Sequence, residues 1–197
     1  MTRTFHSKSP AANRVRGARL FLAVGTLALA CGAFAQSGES DIPLEYAVKA
    51  TYLYKLAPFI DWPPGAFASA DAPFAICVVG DDPFDDFLAH AIAGRAFGMH
   101  PFVVHRLDAL TGDADCRIAY IGRLHSQSVA QALASVQGTP VLTVTDSDTV
   151  ADNGSIMQFV IKGGRVRFDI DNAAAARNHL SISSKLLNLA AVVKNNG

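Results

Sequence analysis

The pattern is sharpest near the C-terminus. Val166, Phe168 and Ile170 alternate with Arg165, Arg167 and Asp169, the mark of a strand with one buried and one wet face. An apolar stretch, SIMQFVI, precedes it across Lys162-Gly163-Gly164, a hairpin signal. Two helical segments, at about 173–179 and 184–193, follow. Near the other end, Tyr46, Ala47, Ala50, Leu53, Tyr54 and Ala57 recur at three- and four-residue steps. That stripe predicts a helix over 42–60, which must stop at Pro63 and Pro64. Between the ends lie PFAICVVG (73–80), HPFVVHRL (100–107), CRIAYIG (116–122) and TPVLTVTD (139–146). Each is a short apolar run bounded by turn residues and reads as a buried strand.

Helix signals separate the strands. Asp82 followed by Pro83 predicts an N-cap and first helical position, with Asp85 and Asp86 in the first turn and Gly94 as the stop. A second helix is expected over 126–136, closed by Gly138. Strands alternating with helices imply an α/β fold: three layers, a mainly parallel sheet with helices on both faces, and a C-terminal β-hairpin plus helices.

Charge placement changes the picture more than its total does. The 197-residue chain is formally neutral, with 17 basic and 17 acidic side chains. Residues 1–35 hold Arg3, Lys8, Arg14, Arg16 and Arg19 and no acid, so the remainder has 12 basic and 17 acidic residues, a net charge of −5. An acidic remainder argues against a nucleic-acid partner. The basic start, the apolar run LFLAVGTLALA (20–30) and the small residues Ala33 and Ala35 predict a signal peptide cleaved after Ala35. An uncleaved anchor and a lipoprotein cysteine at Cys31 are the alternatives, although the run is short for a span and alanine stands where a lipobox has leucine. The expected product is a single exported domain, 36–197. Export leaves Cys77 and Cys116, which in an oxidising compartment read as a disulfide, with two separate buried thiols as the other reading.

Catalytic patterns are sparse. The chain has no GxSxG elbow, P-loop or GxGxxG, and the residue three before Lys185 is Ile182, which breaks an SxxK spacing. The acidic stretch 146–154 resembles a calcium loop but has Val150 at a ligand position and Met157 in place of the bidentate glutamate. It reads as a turn-rich connection. The histidines show no metal-ligand spacing. No cofactor and no catalytic set is expected. The seam 168–190, FDIDNAAAARNHLSISSKLLNLA, is more suggestive. Ser183 or Ser184 suits a helix cap, and a helix start with Arg177 nearby suits an anion. Trp62, the only tryptophan, suits either the core or an exposed apolar groove.

Four stretches, residues 45–63, 74–84, 140–146 and 165–190, resemble in order the YfiR family of periplasmic proteins. The last is the most specific, with His179 before Leu180 where many relatives carry glycine. The resemblance implies a periplasmic repressor of a YfiN-like inner-membrane diguanylate cyclase, relieved by a YfiB-like outer-membrane lipoprotein. Cyclic di-GMP and biofilm formation would fall under its action. It also implies a homodimer, a bond between Cys77 and Cys116, and a small-molecule pocket that maps approximately onto Arg177, Ser181 and Ser183. Tyr54 and Trp62, with Tyr46 and Tyr52, would then be aromatic anchors for a partner or a second copy. The rival expectation is a periplasmic small-molecule or anion-binding protein.

Overall fold

The computed structural model describes residues 41–146 and 154–195. The expected signal peptide 1–35, residues 36–40 and most of the acidic stretch 146–154 lie outside the described residues. In chain order the elements are α1 (Asp41–Leu56), a 3-10 turn (Ala57–Phe59), β1 (Ile60–Asp61), β2 (Phe74–Val79), α2 (Asp86–Ile92), β3 (Ala96–Phe97), β4 (His100–Leu107), β5 (Ile118–Ile121), α3 (Val129–Ser135), β6 (Leu142–Asp146), β7 (Met157–Lys162), β8 (Arg165–Asp171), α4 (Asn172–Arg177), β9 (Ser181–Ile182), α5 (Ser184–Leu187) and β10 (Val192–Lys194).

Eight strands form one sheet in the order β10-β8-β7-β6-β5-β2-β4-β3. Pairs from β4 through β7 are parallel, as is β10 with β8. The β3–β4 and β7–β8 pairs are antiparallel hairpins. Strand alternation sorts the core into two faces. Phe74, Ile76 and Val78 of β2 pack under Ala50, Leu53 and Leu56 of α1 and Leu88 and Ile92 of α2. Cys77 and Val79 face the other way, toward Ala132 of α3 and Val136. Helices therefore cover both faces of a mostly parallel sheet, the expected α/β arrangement.

Three local expectations are corrected. The second helix starts at Asp86, not after Asp82. Asp82 instead closes a turn around Pro83, its carboxylate accepting from the Phe84 N–H at 2.8 Å and pairing with Arg106 at 2.7 Å. The turn drops Phe84 into the core against Tyr120 before helix can begin. The last helix is a single turn. Past Ala191 the chain becomes β10, because Val192–Lys194 can pair with the otherwise open edge of β8. The third is the first helix, expected over 42–60: the α-helix ends at Leu56, Ala57–Phe59 form a 3-10 turn and Ile60 begins β1.

The seam 168–190 resolves into capping. Asp171 accepts from the Ala174 N–H at 2.7 Å, and Ser183 from the Leu186 N–H at 3.3 Å. Asn178 is buried and reaches across to Gly138, Val136 and Val141, tying the end of α4 to the loop between α3 and β6. α4 then ends in a Schellman motif: Leu180 N–H bonds Ala175 C=O at 2.9 Å and His179 N–H bonds Ala176 C=O at 3.0 Å. His179 holds the left-handed position at φ 58°. A side chain there costs roughly 1–2 kcal/mol, partly offset by the chain entropy that glycine would bring. We therefore expect His179→Gly to raise stability by about 0.5–1 kcal/mol and the melting midpoint by a few degrees. Thermal unfolding checks it, and a fall in midpoint would mean that the exposed imidazole has a favourable contact outweighing the strain.

Candidate functional site

α1 turns Ala50, Leu53 and Leu56 into the core and leaves an apolar edge in solvent. Leu44 is 67% exposed and Val48 37%. Across from them, the β7–β8 hairpin presents Ile161, 42% exposed, with Val166 beside it. Tyr52 closes the floor, its ring 6.1 Å from Phe159 and 5.8 Å from Phe168. The result is an open groove of about 670 Å³ with Arg165 and Arg167 on its rim. Three of the seven exposed large hydrophobic side chains among the described residues line this one groove. Such a concentration suits an apolar ridge of another protein.

α1 is held in place from its inner side by charge. Lys49 is wholly buried and donates to Asp146, at the carboxyl end of β6, and to Glu45 one turn earlier. Its ammonium also lies 4.7 Å from the centre of the Tyr46 ring. Burial pulls the Lys49 pKa down, but the hydrogen bonds and attraction of Asp146 and Glu45 outweigh it and leave the pKa raised. Burial also pushes the nearby Tyr120 phenol far up. The signal for this cluster was in the sequence: Lys49 falls three residues after Tyr46 and four before Leu53, on the apolar stripe itself. A lysine there needs a buried partner.

Open α/β sheets commonly bind ligands where the strand order reverses, outside the carboxyl ends of the strands. Here that point lies between β2 and β5. The two loops touch there. The Asp81 N–H bonds Arg123 C=O at 3.0 Å, a Cβ on Gly80 would lie 2.3 Å from that oxygen, and one on Gly122 would lie 2.4 Å from the Asp81 carbonyl oxygen. Glycine at both positions lets the two backbones meet. The side chains left at this end are Asp81 with His125 at 2.9 Å and Asp82 with Arg106, all at least partly exposed. Among the described residues no cluster of three histidine, cysteine or acidic side chains could hold a metal ion, and no helix is long and apolar enough to cross a membrane.

The residues singled out from the sequence fall in several places. Cys77 and Cys116 are joined in a disulfide, buried on the α3 side of the sheet. Trp62 is half-buried, edge-on to Phe74 at 5.3 Å, its indole N–H directed at the Ala57 carbonyl at 3.4 Å. Tyr54 packs edge-on to Phe102 and beneath the Arg95 guanidinium. Tyr46 is likewise half-buried, against Phe84. Ser181 pairs with Asp61 in the small β1–β9 sheet, and Ser183 caps α5. Arg177 is exposed at the end of α4 and lines a different cavity, of about 270 Å³, with Gln137 and Asn178. Neither serine lines it. Leu44, Val48 and Ile161 escaped the sequence reading because single exposed apolar residues are ordinary, and only the fold brings them together.

The sequence model of the DUF4154 family, described as YfiR/HmsC-like, matches residues 46–191. With most of its length matched, the chain belongs to the YfiR/HmsC-like family, whose membership supports a periplasmic regulator of diguanylate cyclase signalling in general terms.

Proposed function

We propose that this protein is a periplasmic regulatory binding protein that represses an inner-membrane diguanylate cyclase of the YfiN type, lowering cyclic di-GMP and biofilm formation. The observation that carries this reading is the groove between α1 and the β7–β8 hairpin, where Leu44, Val48 and Ile161 stand exposed beside Arg165 and Arg167. An apolar ridge with an acidic flank, on the cyclase's periplasmic domain, is the complement it asks for. Repression then needs only that this surface bind one conformation of the cyclase more tightly than the other. The exported form is residues 36–197 after cleavage at Ala35, and it acts as a homodimer. A YfiB-like outer-membrane lipoprotein relieves repression by drawing the repressor away.

The test is cellular cyclic di-GMP in a strain lacking the gene, in the same strain re-expressing it, and in one expressing Val48→Asp with Ile161→Asp. Deletion should raise cyclic di-GMP, and the natural protein should bring it back down. The groove variant should fail to do so while accumulating in the periplasm at the same level. No change on deletion, in oxidising and reducing growth alike, would overturn the repressor reading. Full complementation by the groove variant would move the docking surface elsewhere and leave that reading standing.

A further inference from the structure

Charge is split along the chain. Residues 155–197 carry six basic and two acidic side chains, a net +4, whereas residues 36–154 carry six basic and fifteen acidic ones, a net −9. The fold gathers much of the positive share on one face of the sheet. Side chains opposite each other on neighbouring strands share a face. The register sets Lys162 across from Arg165 and Val160 across from Arg167, with Val192 and Lys194 of β10 beside Asp169 and Asp171. Phe159 and Phe168 of the same strands point into the core under α1, so this set lies on the opposite face. The core beneath α3 on that face includes no residue of β7, β8 or β10. Lys162, Arg165, Arg167, Val192 and Lys194 are exposed, and Val160 is half-buried.

The two carboxylates on this face are already engaged: Asp169 accepts from Lys162 at 3.3 Å, and Asp171 caps the Ala174 N–H at 2.7 Å. Arg165 makes no ion pair within 4.0 Å among the described residues. Arg167 donates to the Leu189 carbonyl at 3.2 Å, which brings Leu189, 58% exposed, to the edge of the face near Val192. The cavity beside Asp169, Asp171 and Lys194 holds about 20 Å³, too small for an organic ligand. A flat cationic face set with aliphatic side chains suits many phosphates in a plane rather than one anion in a pocket. We propose that the outer face of β7, β8 and β10 docks on a phospholipid leaflet rich in phosphatidylglycerol. Headgroup phosphates meet Lys162, Arg165, Arg167 and Lys194, and Val192 and Leu189 rest against the acyl boundary. The acidic run of Asp81, Asp82, Asp85 and Asp86 follows β2, toward the other edge of the sheet, so the charge split also orients the domain on approach. Arg165 and Arg167 border the α1 groove as well. Docking this way holds that groove at the membrane surface, which adds to the repressor reading without depending on it.

Co-sedimentation of the purified exported protein with lipid vesicles tests this, and with no cyclase in the assay its failure is separate from failure of the repressor reading. At low salt the protein should bind vesicles of equal parts phosphatidylcholine and phosphatidylglycerol and ignore vesicles of phosphatidylcholine alone. Binding should vanish in about 1 M sodium chloride, where the screening length falls to about 3 Å. Lys162→Gln with Arg165→Gln should weaken it about tenfold or more. Lys55→Gln with Arg95→Gln removes the same charge from the end of α1 and the start of β3, and should leave binding nearly unchanged. All four side chains are exposed, so neither variant threatens the fold. Equal binding to both kinds of vesicle, or equal losses in the two double variants, overturns the proposal. So does no binding to the phosphatidylglycerol vesicles, which would hand this face to an acidic protein surface instead.

Discussion

Replacing Lys49 by methionine should cost about 3–5 kcal/mol, among the largest effects of any single substitution in the domain. The side chains of Lys49 and Asp146 are 0% and 1% exposed, and they join residues 97 apart. Methionine keeps the volume and the stem packing but removes the ammonium that a buried carboxylate faces. The cost comes mainly from a buried carboxylate losing the cation that faces it rather than from the lost bond itself. In urea, with a slope of about 2 kcal/mol per molar, the unfolding midpoint should fall by roughly 2 M. Lys49→Met combined with Asp146→Asn removes both charges and keeps the shape, so it should recover more than half of the loss. A double variant no more stable than Lys49→Met alone would show that the carboxylate is not what makes the single change costly.

The pH dependence has a definite sign. The Lys49 pKa is raised in the folded state above its ordinary 10.5. Its contribution is therefore fully present below pH 10.5 and is lost as pH rises through the folded value. The natural protein should lose stability relative to Lys49→Met in that alkaline window and show no such convergence between pH 6 and 9. The ion pair also has a consequence for recognition. It anchors α1 at the carboxyl end of β6, with Leu44 and Val48 on the exposed side. A helix free to rotate or slide would not keep those side chains opposite Ile161.

Much of this was legible from residue pattern alone. Continuous apolar runs marked β2, β5 and β6, strict alternation marked β8, and a three- and four-residue stripe marked α1, because each pattern repeats one burial geometry over several residues. What stayed hidden depends on partners far away in sequence. β10 exists because β8 offers an open edge, and Ser184–Leu187 stays a single helical turn for the same reason. Asp82 has the residue type and the following proline of an N-cap, yet its carboxylate is taken by Phe84 N–H and Arg106. The seam at 168–190 shows the same division. Its caps were readable from type and position, whereas the task of Asn178, bridging to residues about 40 positions earlier, was not. The groove beside α1 is the extreme case, since its three exposed apolar residues mean nothing until α1 and the β7–β8 hairpin are side by side.

Removing the disulfide, by Cys77→Ala with Cys116→Ala, should cost about 4 kcal/mol. The bond spans 39 residues, and a loop of that size restricts the unfolded chain by about that amount in the chain-entropy model. It also sits where loss of packing is felt. Cys77 is in the middle of β2 and Cys116 leads into β5, the next strand of the sheet, and both pack with Leu110, Ala132 and Val136. The urea midpoint should drop by about 2 M at a slope of about 2 kcal/mol per molar. Burial gives a second, kinetic expectation. Cys77 is 0% and Cys116 1% exposed, so a thiolate reductant cannot reach either sulfur in the closed fold. Reduction by dithiothreitol should be slow in buffer and accelerate steeply as urea opens the domain. Fast reduction in buffer, at a rate indifferent to urea, would mean that this part of the sheet opens on its own. The bond would then respond to the redox state of its surroundings without the fold being lost.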